Sequence, residues 1–92
     1  MLQPRLVEWD EAALTELESI AAHEPRAVAR ALIAAERMGN SGYDEGRPTV
    51  EPQVRYRPPY RPGERLGLFY AVTPTAFRII WVVDARTLRQ LP

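Results

Sequence analysis

Twelve arginines, twelve carboxylates, four tyrosines and a single histidine are the residues of this chain that could do chemistry. The arginines are concentrated at Arg55, Arg57, Arg61 and Arg65, interleaved with Tyr56 and Tyr60, and continue at Arg78 and Arg86. Guanidinium groups beside aromatic rings can hold phosphate while bases stack, so the stretch resembles a single-stranded RNA contact; the plainer reading is a solvated segment. Arginine does not lose its proton in proteins, which removes it as an ordinary base. Proton transfer in the C-terminal half therefore falls to Glu64, Asp84, Tyr56, Tyr60 and Tyr70. His23, beside Pro25, reads as a turn or surface residue. No phosphate loop, metal-ligand spacing or nucleophile triad is present, and neither metal nor cofactor is expected.

Charge is unevenly spread along the chain. Residues 1–46 hold 4 Arg against 9 acids, a net of −5; residues 47–92 hold 8 Arg against 3 acids, a net of +5. A molecule built this way is a charge dipole unless folding interleaves the halves. The C-terminal half is expected to offer Arg55, Arg57, Arg61 and Arg78 to RNA or to an acidic partner. The competing reading pairs Arg55, Arg57, Arg61 and Arg65 with acids on the helices.

A chain of 92 residues makes one domain, 1–92, which buries roughly 60–65% of its unfolded surface. There is no cysteine, so no disulfide framework is available and a reducing cytoplasm is the expected compartment. No apolar run approaches the roughly 18 residues of a membrane span, and the N-terminus lacks a signal peptide's pattern.

The elements that must position these groups follow from local signals. Arg5–Trp9 alternates like a short strand. Asp10 is placed to cap a helix, with Trp9 stapling onto Leu14, and Leu14, Leu17, Ile20 and Ala21 form its apolar stripe. Pro25 suits the first position of a second helix whose stripe is Val28, Ala29, Leu32, Ile33 and Ala35 and whose stop is Gly39-Asn40. A long loop runs from Gly39 to about Pro52. Val54–Arg57 reads as an edge strand ended by Pro58-Pro59. Residues 66–72 and 77–86, joined by Thr73-Pro74-Thr75-Ala76, read as a β-hairpin whose last strand is interior. Trp9, Trp81 and Tyr70 read as core residues. The order is α+β: a short N-terminal strand, a helical hairpin, then a three- to four-stranded antiparallel sheet.

This order, with Leu6-Val7-Glu8-Trp9-Asp10-Glu11-Ala12-Ala13 at the start, Leu68-Phe69-Tyr70 in the sheet and Trp81-Val82-Val83-Asp84-Ala85-Arg86 at the end, resembles the RelE/ParE superfamily of bacterial toxins. The resemblance implies a RelE-like fold and the toxin component of a type II toxin-antitoxin system of the plasmid-stabilisation kind, held by a cognate antitoxin. RelE-like members cut messenger RNA on the ribosome; ParE-like members poison gyrase. Carried over residue by residue, the catalytic positions are Arg65, Tyr70 and Arg86. Gly67 stands where cutting members tend to have arginine, with Arg65 two residues back. Ala85-Arg86 keeps the arginine of a terminal His-Arg pair and loses the histidine, and Thr87–Pro92 lacks the usual tyrosine.

Those departures bear on mechanism, because cleavage through the 2′-OH needs a base, a charge stabiliser and an acid, and arginine supplies only the second. Three expectations stand side by side: a ribosome-dependent mRNA endoribonuclease with an incomplete catalytic set, a catalytically decayed partner-binding protein of the same fold, and a ParE-like gyrase inhibitor.

Overall fold

Strand β1 (Leu6–Trp9) forms one edge of the sheet, pairing in parallel with the last strand, β5 (Ala76–Asp84), from Leu6 opposite Ala76 to Trp9 opposite Ile79. A computed structural model describes residues 2–89. Between the two strands come α1 (Glu11–Ala21), α2 (Pro25–Ser41), β2 (Arg47–Pro48), β3 (Arg55–Arg57) and β4 (Leu66–Val72); α3 (Ala85–Arg89) follows β5. The sheet order is β1-β5-β4-β3-β2, mixed, with every pairing other than β1 to β5 antiparallel. The α+β order read from sequence holds, and β5 is interior.

Four local readings need correction. β3 is not an edge, because the two-residue β2 inside the long loop pairs Arg47 with Tyr56 and takes that place. The final strand stops at Asp84, so Arg86 lies in the first turn of α3. Helix α2 runs through Gly39-Asn40 and stops at Gly42, whose φ of 71° is the left-handed conformation that glycine adopts without strain. Asp10 occupies the N-cap of α1 without a side-chain cap bond, because its carboxylate accepts from Arg78 Nε at 2.6 Å.

The expected apolar stripes hold in part: Leu17 and Ala35 are in the core and Ile20 and Val28 pack against it, but the inward faces are rotated towards smaller residues. The core comprises Ala13 and Leu17 of α1, Ala27, Ala31, Ala35 and Met38 of α2, and Leu66, Leu68, Tyr70, Phe77, Ile79 and Val82 of the sheet. Leu14, Leu32 and Ile33 are exposed, the last two by 44% and 49%. Ala27, Ala31, Ala34, Ala35 and Met38 have the same helical spacing as the larger residues, but their small side chains let α2 lie close to β1 and β4. At Gly39 the approach is limiting: a Cβ there would stand 2.6 Å from Val7 Cγ2 and 2.9 Å from the Arg5 carbonyl oxygen.

In β4, the alternation that buries Leu66, Leu68 and Tyr70 sends Phe69 to the opposite face. Tyr56, Phe69 and Trp81 stand in register across three strands, and the Tyr56 and Phe69 ring centroids are 4.7 Å apart. A bulge shifts the register between Phe69 and Tyr70, leaving Ile80 without a partner. Trp81 is 43% exposed, correcting its expected place in the core. Among the described residues no helix is long and apolar enough to cross a membrane.

Candidate functional site

Arg65 at the entry to β4 and Arg86 at the start of α3 meet at one carboxylate, Glu24, at the α1–α2 junction. Arg65 Nη1 donates to Glu24 Oε2, and Arg86 Nη2 donates to Glu24 Oε1 at 2.9 Å. Arg86 is shared with Asp84, whose Oδ2 lies 2.7 Å from Nη2, and the Ala85 N–H donates to the Arg65 carbonyl at 3.0 Å. The cluster ties the helical hairpin to the far end of the sheet. Arg65 foremost, then Arg86, holds the Glu24 carboxyl below its ordinary range, and Arg86 does the same to Asp84. The two acids in turn raise Arg86 still further from deprotonation.

Tyr70 is elsewhere. Five residues from Arg65 in an extended strand is about 17 Å at roughly 3.4 Å per residue. Its side chain is fully buried, and its hydroxyl donates to Asp44 Oδ1 in the loop before β2. Burial, reinforced by the Asp44 charge, drives the phenol far above its ordinary value. The same Asp44 oxygen accepts the Gly46 N–H at 2.9 Å. Arg55 Nε lies 2.9 Å from Asp44 Oδ2, an ion-pair separation without hydrogen-bond alignment, while its Nη2 donates to the Gly46 carbonyl at 2.6 Å.

Arg57 is the most enclosed charge among the described residues, 1% exposed. Its Nε donates to Glu45 Oε1 and its Nη1 to Glu64 Oε1, each at 2.7 Å. The Tyr60 ring stands 5.1 Å from its guanidinium carbon, and the Tyr60 hydroxyl donates to the Glu45 carbonyl at 2.7 Å. Burial opposes the charge on both Arg57 and Glu64, but their mutual bonds outweigh it: Glu64 stays below the usual carboxylate range and Arg57 is raised.

Of the arginines singled out for RNA or an acidic partner, Arg57 faces inward and is spent on Glu45 and Glu64, Arg55 is held by Asp44 and Gly46, and Arg78 is shared with Asp10. Arg61 is exposed and makes no ion pair among the described residues. The partners of Arg55 and Arg57 come from the loops at 44–45 and 64, not from the helices. The structure thus brings Arg65 and Arg86 together, leaves Tyr70 apart, and neutralises most of the expected basic face.

The chain is similar to a chain of a solved structure described as "Chromosomal ParDE TA system from P. aeruginosa", with a TM-score of 0.71 and 17% sequence identity, covering 87% of this chain and 95% of that chain. The fold is RelE/ParE-like. No family model and no curated protein matches the sequence.

On this RelE/ParE-like frame a cleft of about 560 Å³ opens beside the Glu24 cluster, lined by His23, Glu24, Pro25, Arg26, Ala27, Gly63, Glu64 and Arg65. It brings the only histidine and Arg65 to the lining of one cleft, which sequence spacing does not disclose because the two are 42 positions apart. No group of three or more His, Cys, Asp or Glu side chains among the described residues is arranged to hold a metal ion.

Proposed function

We propose that this chain is the toxin of a bacterial toxin-antitoxin pair, acting in the cytoplasm by gripping a protein target, with gyrase as the target class that the family resemblance suggests. One observation supports the non-nucleolytic part: Tyr70 stands apart from Arg65 and Arg86, which cleavage would need beside it. Arg65 and Arg86 spend their charge on Glu24, while the phenol of Tyr70 is buried against Asp44. A neutral, inward-facing tyrosine held far above its ordinary range neither receives a proton from a 2′-OH nor reaches a leaving oxygen. The toxin and antitoxin parts are supported by likeness to a chain from a ParDE TA system.

A second reading is favoured by the cleft. His23 and Arg65, both lining it, supply a proton carrier and a charge stabiliser, so ribosome-dependent cutting of messenger RNA would be centred there and not on Tyr70.

Induced expression in a sensitive bacterial host separates the two, with growth, messenger-RNA ends and gyrase–DNA cleavage complexes measured together. The expected result is growth arrest with intact messenger RNA, accumulating cleavage complexes, and relief on co-expression of any small antitoxin-like protein that adjoins the gene. Transcripts cut by the wild-type chain but not by His23→Ala transfer the conclusion to the second reading. Unimpaired growth overturns the toxin assignment.

A further inference from the structure

Beside the indole of Trp81 the surface opens into a slot of about 480 Å³ lined by Glu11, Ala12, Thr15, Glu16 and Trp81. Its geometry follows from three features. β1 stops pairing with β5 at Ile79, so the strand beyond that point has α1, not a neighbouring strand, along its flank. The bulge at Ile80 alters the alternation just before Trp81. Glu11, Ala12, Thr15 and Glu16 share one face of α1 through their i, i+4 and i+1, i+4 spacing, so a methyl-lined floor carries a carboxylate at each end.

The charges around this slot are unanswered. Glu11, Glu16 and Glu18 make no ion pair among the described residues, and the nearby cation Arg78 is occupied by Asp10 at 2.6 Å. Elsewhere the fold answers carboxylates with arginines at Glu24, Asp44, Glu45, Glu64 and Asp84. An exposed indole in a slot shared with two unpaired carboxylates offers what a planar cation needs, a π face and nearby acceptors. Neither a nucleic acid nor an acidic peptide matches that charge.

We infer that the Trp81 slot receives an arginine side chain from a basic segment of the partner protein, the guanidinium lying on the indole and bonding to Glu11 and Glu16. Assigning that arginine to a protein partner rests on the toxin-antitoxin reading; the slot as a guanidinium site does not. The target of the toxin is a separate matter, tested by growth and cleavage complexes.

The test titrates the chain alone with acetyl-tetraarginine amide, following the two tryptophan indole N–H resonances by NMR; Trp81→Phe identifies which is which. A saturable shift of the Trp81 resonance is expected, with affinity on the order of 1 mM and little movement of Trp9. The Glu11→Gln/Glu16→Gln variant should weaken binding about fivefold and Trp81→Ala by a similar factor, read from the backbone amides of α1, with Trp81→Phe retaining part of it. Acetyl-tetraglutamate amide should leave the spectrum unchanged. The inference is overturned if the shift is absent, if it persists at full affinity in the double Gln variant, if octauridylate RNA produces it instead, or if the Trp81 resonance moves on simple dilution, which would mark a second copy of this chain as the occupant. Failure here with growth arrest intact removes the slot and leaves the toxin reading; the reverse pattern removes the partner assignment and leaves the slot.

Discussion

Arg57 and the two carboxylates that enclose it are all paired, whereas Glu11, Glu16 and Glu18 along the outer face of α1 have no ion-pair partner among the described residues. Arg57 is enclosed by Glu45, Glu64 and Tyr60, and the next hub, Asp44 with Arg55 and Tyr70, continues the network into the core. Glu11, Glu16 and Glu18 on α1 face solvent or the Trp81 slot without ion-pair partners among the described residues. A half of the chain with net charge +5 therefore pairs much of its charge within the fold, and a half with net charge −5 exposes carboxylates where a partner can meet them. Net charge of a segment sets how many counter-charges it needs. Position in the fold decides whether the protein or a partner supplies them.

The largest effect should come from breaking the enclosed side. Arg57→Met leaves two carboxylates without their cation, and chemical denaturation should show a loss of about 3–5 kcal/mol, the usual cost of removing one member of a buried pair. A loss below about 1 kcal/mol would mean that Arg57 is not enclosed as described. Tyr70→Phe removes a hydrogen bond to a charged acceptor and should cost about 1.5–3 kcal/mol by the same measurement.

The pH dependence sharpens the same contrast. Glu24 and Glu64, ordinarily near 4.5, and Asp84, ordinarily near 3.8, are all held lower in the fold. Their contribution is complete above those ordinary values and is lost as pH falls through the depressed ones, so thermal stability should be level near neutrality and decline below about pH 4.5. In Arg57→Met the cation that lowered Glu64 is gone, leaving burial opposed only by backbone N–H groups, so the deficit of this variant should shrink on acidification. Tyr70 works in the other direction. Its phenol is raised in the fold, so its contribution is full below its ordinary value of 10.0 and wanes above it, and Tyr70→Phe should be less alkali-sensitive than the wild type. The smallest effect belongs to the open side: Glu18→Gln on α1 should change stability by no more than about 0.5 kcal/mol, as exposed unpaired positions do.

Much of the backbone was legible because its signals are local. Pro25 at the start of α2, Pro58 directly after β3, and the alternation of residues 66–72 before the turn at Pro74 act within a few residues of the structure they specify. The apolar face of α2 was misjudged because two stripes have helical spacing, and the preference for Ala27, Ala31 and Ala34 over Leu32 and Ile33 comes from how closely the sheet lies. The site was less legible still. Asp10 and Arg78 are 68 positions apart, Arg86 and Glu24 are 62 apart, and nothing in either neighbourhood announces the other. Trp81, apolar and in a strand, had every local reason to be buried; only the end of β1 and the bulge at Ile80 put it at the surface.

From its residues alone, the chain was committed to a strand, a helical hairpin and a final β-hairpin, because backbone preference and hydrophobic period are settled within one or two turns of chain. The folded molecule decided which arginines were consumed, which carboxylates remained open, and that Arg65 and Arg86 would share Glu24 while Tyr70 turned to Asp44. Such pairings depend on separations of a few ångströms between groups distant in sequence, and those separations exist only once the layers have packed.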